Sequence, residues 1–127
     1  MKRYFFIFAL LSLLATAGCS RNIGVSGRVT FPDGSPLTQG FVIFESGPYQ
    51  VFGRIDESGN YRMGEDRSGQ GIKPGEYNVR ISAQSGGGSD GAPLVRYVAV
   101  KYENTATSGL VCSVQGKTVF DMTVEKP

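Results

Sequence analysis

From Asn22 onward, apolar and polar residues alternate with the two-residue period of a half-buried strand. Ile23, Val25, Val29 and Phe31 fall on one side and Asn22, Ser26, Arg28 and Thr30 on the other, with Gly27 on the apolar side. Pro32-Asp33-Gly34-Ser35-Pro36 breaks this pattern with turn chemistry, because proline fixes φ and glycine accepts positive φ. Phe41-Val42-Ile43-Phe44 is a continuous apolar run, which predicts a central strand covered on both faces, and Gly47-Pro48 ends it. A third strand is expected from Gln50 to Asp56 and a fourth from Tyr61 to Met63. The link between them, Asp56-Glu57-Ser58-Gly59-Asn60, lets Asp56 accept from backbone N–H groups ahead of it.

Lys73-Pro74-Gly75-Glu76 turns into the clearest alternation on the chain, Tyr77, Val79, Ile81 and Ala83 against Asn78, Arg80 and Ser82. Ser85 to Gly91 is too rich in glycine to pack and predicts a mobile loop. Leu94 to Val100 reads as a strand, Tyr102 to Ser108 as polar and irregular, and Leu110, Cys112 and Val114 as a further strand. Gln115-Gly116-Lys117 predicts a hairpin link to a last strand, with Phe120, Met122 and Val124 opposite Val119, Asp121 and Thr123. Glycine, at 18 residues, favours short strands joined by tight turns. The expected architecture is all-β: an antiparallel β-sandwich of about seven strands over residues 22 to 127.

Ahead of that domain, Lys2 and Arg3 precede an apolar run from Phe5 to Ala15 and then Ala15-Thr16-Ala17-Gly18-Cys19, the order of an export signal. The last residues resemble a bacterial lipobox, with Thr16 where Leu is usual. The resemblance implies that residues 1–18 are a removed signal peptide and that Cys19 is acylated as the first mature residue. Residues 19–21 are then a short tether, reaching about 10 Å. The same Ala15-x-Ala17 also fits ordinary secretion, which leaves Cys19 a free thiol available to Cys112 in an oxidising compartment. A retained membrane anchor ranks last, since the run falls short of the ~20 residues that span a bilayer. Removing Lys2 and Arg3 from the 13 cations leaves as many cations as the 11 acids, so no global basic field draws in nucleic acid or anionic lipid.

Three motifs occur in order: Val25-x-Gly27-x-Val29 with Gly34-x-Pro36-Leu37, then Asp56-x-x-Gly59-x-Tyr61, then Lys73-Pro74-Gly75-x-Tyr77-x-Val79. Together they resemble the carboxypeptidase regulatory-like, transthyretin-like (prealbumin-like) β-sandwich domains, over roughly residues 22 to 83. Lys101-Tyr102 and Thr107-Ser108-Gly109-Leu110 resemble the closing pattern of small exported lipoproteins. The resemblance implies a small accessory or adhesion-like module, with no peptidase residues carried over.

The chain has no histidine, which removes Ser-His-Asp and Cys-His nucleophiles, helix-borne zinc motifs and the commonest general base. Asp56 with Glu57 and Glu65 with Asp66 are adjacent acids near turns, whereas a glycosidase needs carboxylates facing each other across a substrate. Turn capping and plain solvation account for them better. Asp56 to Asn60 lacks the ligand spacing of an EF-hand, so no metal is expected. Leu110 and Val114 place Cys112 on an apolar face, as an inert core thiol. The glycine-rich loop lacks the Gly-Lys-Ser/Thr ending of a phosphate cradle.

Arg96, Tyr97, Lys101 and Tyr102 are the candidate contacts for a peptide, glycan or neighbouring protein, against a plainer reading in which both tyrosines pack and both cations are solvated. The expected function is a non-catalytic envelope lipoprotein without cofactor, anchored to the membrane through Cys19 and serving as a structural or protein-binding module, with no nucleic-acid partner. The alternatives are a secreted β-sandwich carrier or glycan- or peptide-binding domain, and a carboxylate-dependent hydrolase.

Overall fold

The computed structural model of the protein describes residues 22–64 and 71–127, so Cys19, the leader and the Glu65-Asp66 pair lie outside the described residues. Strand β1 (Val25–Thr30) forms where the alternation predicts it, burying Val25 and Val29 and turning Arg28 to solvent. Just before it, Ile23 exchanges backbone hydrogen bonds with Ile72, at 2.7 and 3.0 Å. Strands β2 (Phe41–Ser46) and β3 (Tyr49–Arg54) form a hairpin, and β4 (Asn60–Arg62) follows the Asp56 turn. Strand β5 (Gly75–Ser82) buries Tyr77, Val79 and Ile81 as its pattern requires.

Two short arms, β6 (Gln84–Ser85) and β7 (Val95–Arg96), pair with each other in a separate ribbon. The glycine-rich stretch is the loop of this ribbon, folded by bonds from Gly87 N to Ala92 O and from Ala92 N to Asp90 Oδ1. The strand expected over Leu94 to Val100 is thus reduced to two residues. Leu94, Val95 and Val100 stand in solvent, while Val98 is fully buried.

From Val100, the end of the expected strand, into the stretch expected to be irregular, the chain instead forms a 3-10 turn at Val100–Glu103 and a short helix α1 (Thr105–Ser108). The reason is local: Asn104 Oδ1 caps Ala106 N at 2.9 Å, and Gly109 ends the helix in the left-handed conformation at φ 69°. Ser108 then ties the helix down, its hydroxyl donating to Val79 O at 2.6 Å.

Strand β8 (Leu110–Val114) completes a sheet of order β3-β2-β5-β8, antiparallel throughout. The expected hairpin at Gln115-Gly116-Lys117 does not form. These residues carry the chain across to the other sheet, where β9 (Thr118–Val119) and β10 (Met122–Thr123) run parallel to β1. An alternating apolar pattern is the same for either pairing, so periodicity could not choose the partner. Between β9 and β10 the ladder is interrupted: Phe120 N donates to Ser26 O, but Arg28 N donates to the Asp121 side chain at 2.9 Å. Strand β1 is antiparallel to β4 on its other side, making this sheet mixed.

Ten strand segments are therefore present among the described residues, and the two main sheets face each other across one apolar core. Phe44 sits at its centre, with the rings of Tyr77 and Phe120 at 5.6 and 6.1 Å between centroids. Strand β2 is central as expected, and Val42 and Phe44 enter the core. Its other face is covered only in part. Ile43 is buried beside its cross-strand neighbours Phe52 and Arg80, but Phe41 is 46% exposed. Among the described residues no helix is long and apolar enough to cross a membrane.

Candidate functional site

The structure gathers Arg96, Tyr97, Lys101 and Tyr102 near the C-terminal segment, and there the chain itself engages them. Arg96 Nε meets Glu103 Oε1 at 2.8 Å, and the hydroxyls of Tyr97 and Ser85 are 3.0 Å apart. Tyr102 is a core residue, 5% exposed, and its hydroxyl accepts from Glu125 N at 3.2 Å. Lys101 lies over the Tyr102 ring and pairs with Glu125 at 2.9 Å, which raises the lysine above its ordinary range. Lys101 and Tyr102 thus hold Glu125 against the 3-10 turn, Arg96 ties β7 to the same turn, and Tyr97 meets Ser85 within the β6–β7 ribbon. Arg96 and Tyr97 also edge a shallow groove of about 250 Å³ beside Phe31 and Lys126.

Of the described acids expected at turns, Asp56 caps its turn and Glu57 beside it is exposed. Asp56 Oδ1 accepts from Ser58 N at 2.8 Å and Asn60 N at 2.9 Å. Asp33 accepts from the Ser35 hydroxyl at 2.6 Å and the Ser35 N–H at 3.0 Å, and Lys126 approaches its other oxygen; these partners hold its carboxyl at about 2. Cys112 is a free thiol in the core, and burial, with the nearby Glu76 charge, pushes its pKa up. Among the described residues no group of three or more histidine, cysteine or acidic side chains is placed to hold a metal ion.

A larger groove, about 520 Å³, lies elsewhere. Arg28 reaches it from β1, Asn60 and Arg62 from β4, and Arg54 from β3, with Asp56 and Asp121 on its walls. A glycine brings these strands together. A Cβ at Gly53 would lie 2.7 Å from Arg62 O and 2.8 Å from Met63 Sδ, so only glycine lets β3 run this close beneath β4. Gly64 N then donates to Phe52 O at 3.2 Å across the same approach. Both groove carboxylates are partly spent on the backbone, Asp56 in its turn and Asp121 on Arg28 N. Arg28 Nε donates to Ser58 O at 2.9 Å. The result is three guanidinium groups in one groove against two acids already accepting from the chain. In the sequence each of these arginines looks like an ordinary solvated residue on the polar face of its own strand. The clue was the pairing of β1 with β4 across Ser26 and Arg62, which no single strand reveals.

No family model matches the chain, and no curated protein does. One similar solved structure is a crystal structure of a DUF3823 family protein from Bacteroides ovatus, at 14% identity and a TM-score of 0.46. The alignment covers 81% of this chain and 44% of that one, so the chain spans less than half of its neighbour's length.

Proposed function

We propose that the protein is a non-catalytic accessory module of the bacterial cell envelope, held at the membrane by acyl chains on Cys19 and acting by binding another envelope protein. The observation that carries this reading is how soon the folded chain begins. Ile23 is already bonded to Ile72, which leaves Ser20, Arg21 and Asn22 between the lipobox-like cysteine and the first sheet. A tether of about 10 Å keeps a domain against a bilayer and suits a subunit of an assembly better than a long-reach adhesin. Each buried lipid methylene contributes about 0.8 kcal/mol, so two or three acyl chains hold such a protein almost permanently.

The carboxypeptidase regulatory-like, transthyretin-like assignment belongs to the same proposal. Its support is positional: Val25-x-Gly27-x-Val29 lies in β1, Asp56-x-x-Gly59-x-Tyr61 turns into β4, and Lys73-Pro74-Gly75 leads into β5. A carrier of apolar ligands would need room between the sheets, and that space is filled by Phe44, Met63, Tyr77 and their neighbours, each buried.

Intact mass of the mature protein, with Cys19→Ala as control, tests the anchor. The expected result is cleavage before Cys19 and added diacylglycerol mass that the variant lacks. A soluble product whose Cys19 is bonded to Cys112 would overturn it.

A further inference from the structure

The outer surface is not uniform in what it offers. Phe41 and Phe52, 46% and 40% exposed, are the only exposed large aromatic rings among the described residues; the other exposed large hydrophobics are valines and a leucine. Both phenylalanines lie on one face of the β2–β3 hairpin with Arg54, which is directly opposite Phe41, and β3 is the outermost strand of its sheet. Arg54 turns the corner from this apolar patch into the arginine groove, since it lines that groove together with Arg28. Arg80, Arg96, Lys101 and Lys126 each have a carboxylate partner, whereas Arg54 has no ion-pair partner among the described residues.

Exposed aromatic rings beside an arginine are the composition of interface anchors, because large rigid rings bury much area and a guanidinium fork reads carboxylates two oxygens at a time. We infer that the corner between β3 and β4, formed by Phe41, Phe52, Arg54 and Arg28, is a docking surface for a protein segment that carries acidic and apolar side chains together. Charge complementarity selects the acids and the two rings select the apolar residues. A polyanion such as polyphosphate would satisfy the arginines but leave the rings wet. The inference rests on the protein-binding reading proposed above and names the chemistry of the partner.

The test uses the full processed protein in mild detergent and two fluorescein-labelled synthetic peptides, one of Glu and Leu in equal number and one of Lys and Leu. Anisotropy is expected to show saturable binding of the Glu-Leu peptide alone, weakening as salt rises. Arg54→Glu should weaken it by roughly ten-fold or more, and Arg54→Gln and the double change Phe41→Ser with Phe52→Ser by several-fold. Lys73→Glu, beside Tyr49 at the opposite end of the β2–β3 hairpin from Arg54, should leave it unchanged. Four results would each overturn the inference: no binding by the wild type, equal binding of the Lys-Leu peptide, equal competition by polyphosphate, or full binding by folded Arg54→Glu. Circular dichroism of each variant separates lost binding from lost fold. Absence of lipid on Cys19 would sink the anchored reading and leave these results intact, so the two fail separately.

Discussion

Gly27 shows how one residue is fixed by its neighbours. It pairs directly with Tyr61 across β1 and β4, and the Tyr61 hydroxyl passes over it to donate to the carbonyl of Phe120. A Cβ at Gly27 would overlap that carbonyl, so Gly27→Ala should destabilise by more than about 2 kcal/mol, read as a shift of the urea midpoint. Tyr61→Phe keeps the ring but strands the acceptor, at a cost of about 1–2 kcal/mol. Burial also holds the Tyr61 hydroxyl protonated well above the ordinary tyrosine range, with small additions from Cys112 and Asp121. The unfolded chain releases that proton near pH ~10, so the contribution is intact below this pH and falls as pH rises beyond it. Denaturation at increasing pH should therefore show a loss that Tyr61→Phe reduces. Asp33 behaves in the opposite sense: its carboxyl is held at about 2, so what it contributes persists above the ordinary carboxylate range and disappears as pH falls toward that value. Carboxyl NMR should place its midpoint there, and Ser35→Ala should move it up. The sequence places Gly27 on the apolar side of its strand but says nothing of the hydroxyl above it, which arrives from residues far along the chain.

Among elements, legibility followed length. Strand β5 spans eight residues and repeats its alternation often enough to be read directly, whereas the four residues of α1 complete barely one helical turn and show no period. Its signals were at the ends instead, in Asn104 and Gly109. Asn104→Ala should cost about 1 kcal/mol, and because Ser108 bonds to Val79 O the loss should register in global unfolding rather than as local fraying. The link at Gln115 to Lys117 failed as a hairpin for a different reason. The partner of β9 was an edge of β1, and a strand's own residues do not record which edge waits for it.

For the whole molecule, one core shared by both sheets implies one cooperative transition, with near- and far-ultraviolet dichroism changing together. Phe44→Ala, at the meeting point of three rings, should cost about 3–5 kcal/mol. Cys112, 5% exposed, should react with iodoacetamide only through that same opening, and a chain in which it is already oxidised would not react at all. The all-β character was legible because burial imposes a period; the arginine groove was not, because it arises where β3, β4 and β1 converge, and charge on a polar face has no period to read. The pairing of β1 with β9 and β10 also sets an order in time. Arg28 and Asp121 meet from 93 positions apart, so β1 leaves the ribosome long before the segment that closes its edge. A nascent chain carries that open edge until Thr123 has emerged, and a product truncated ahead of Phe120 carries it for life, exposed to proteases and to pairing with its own kind.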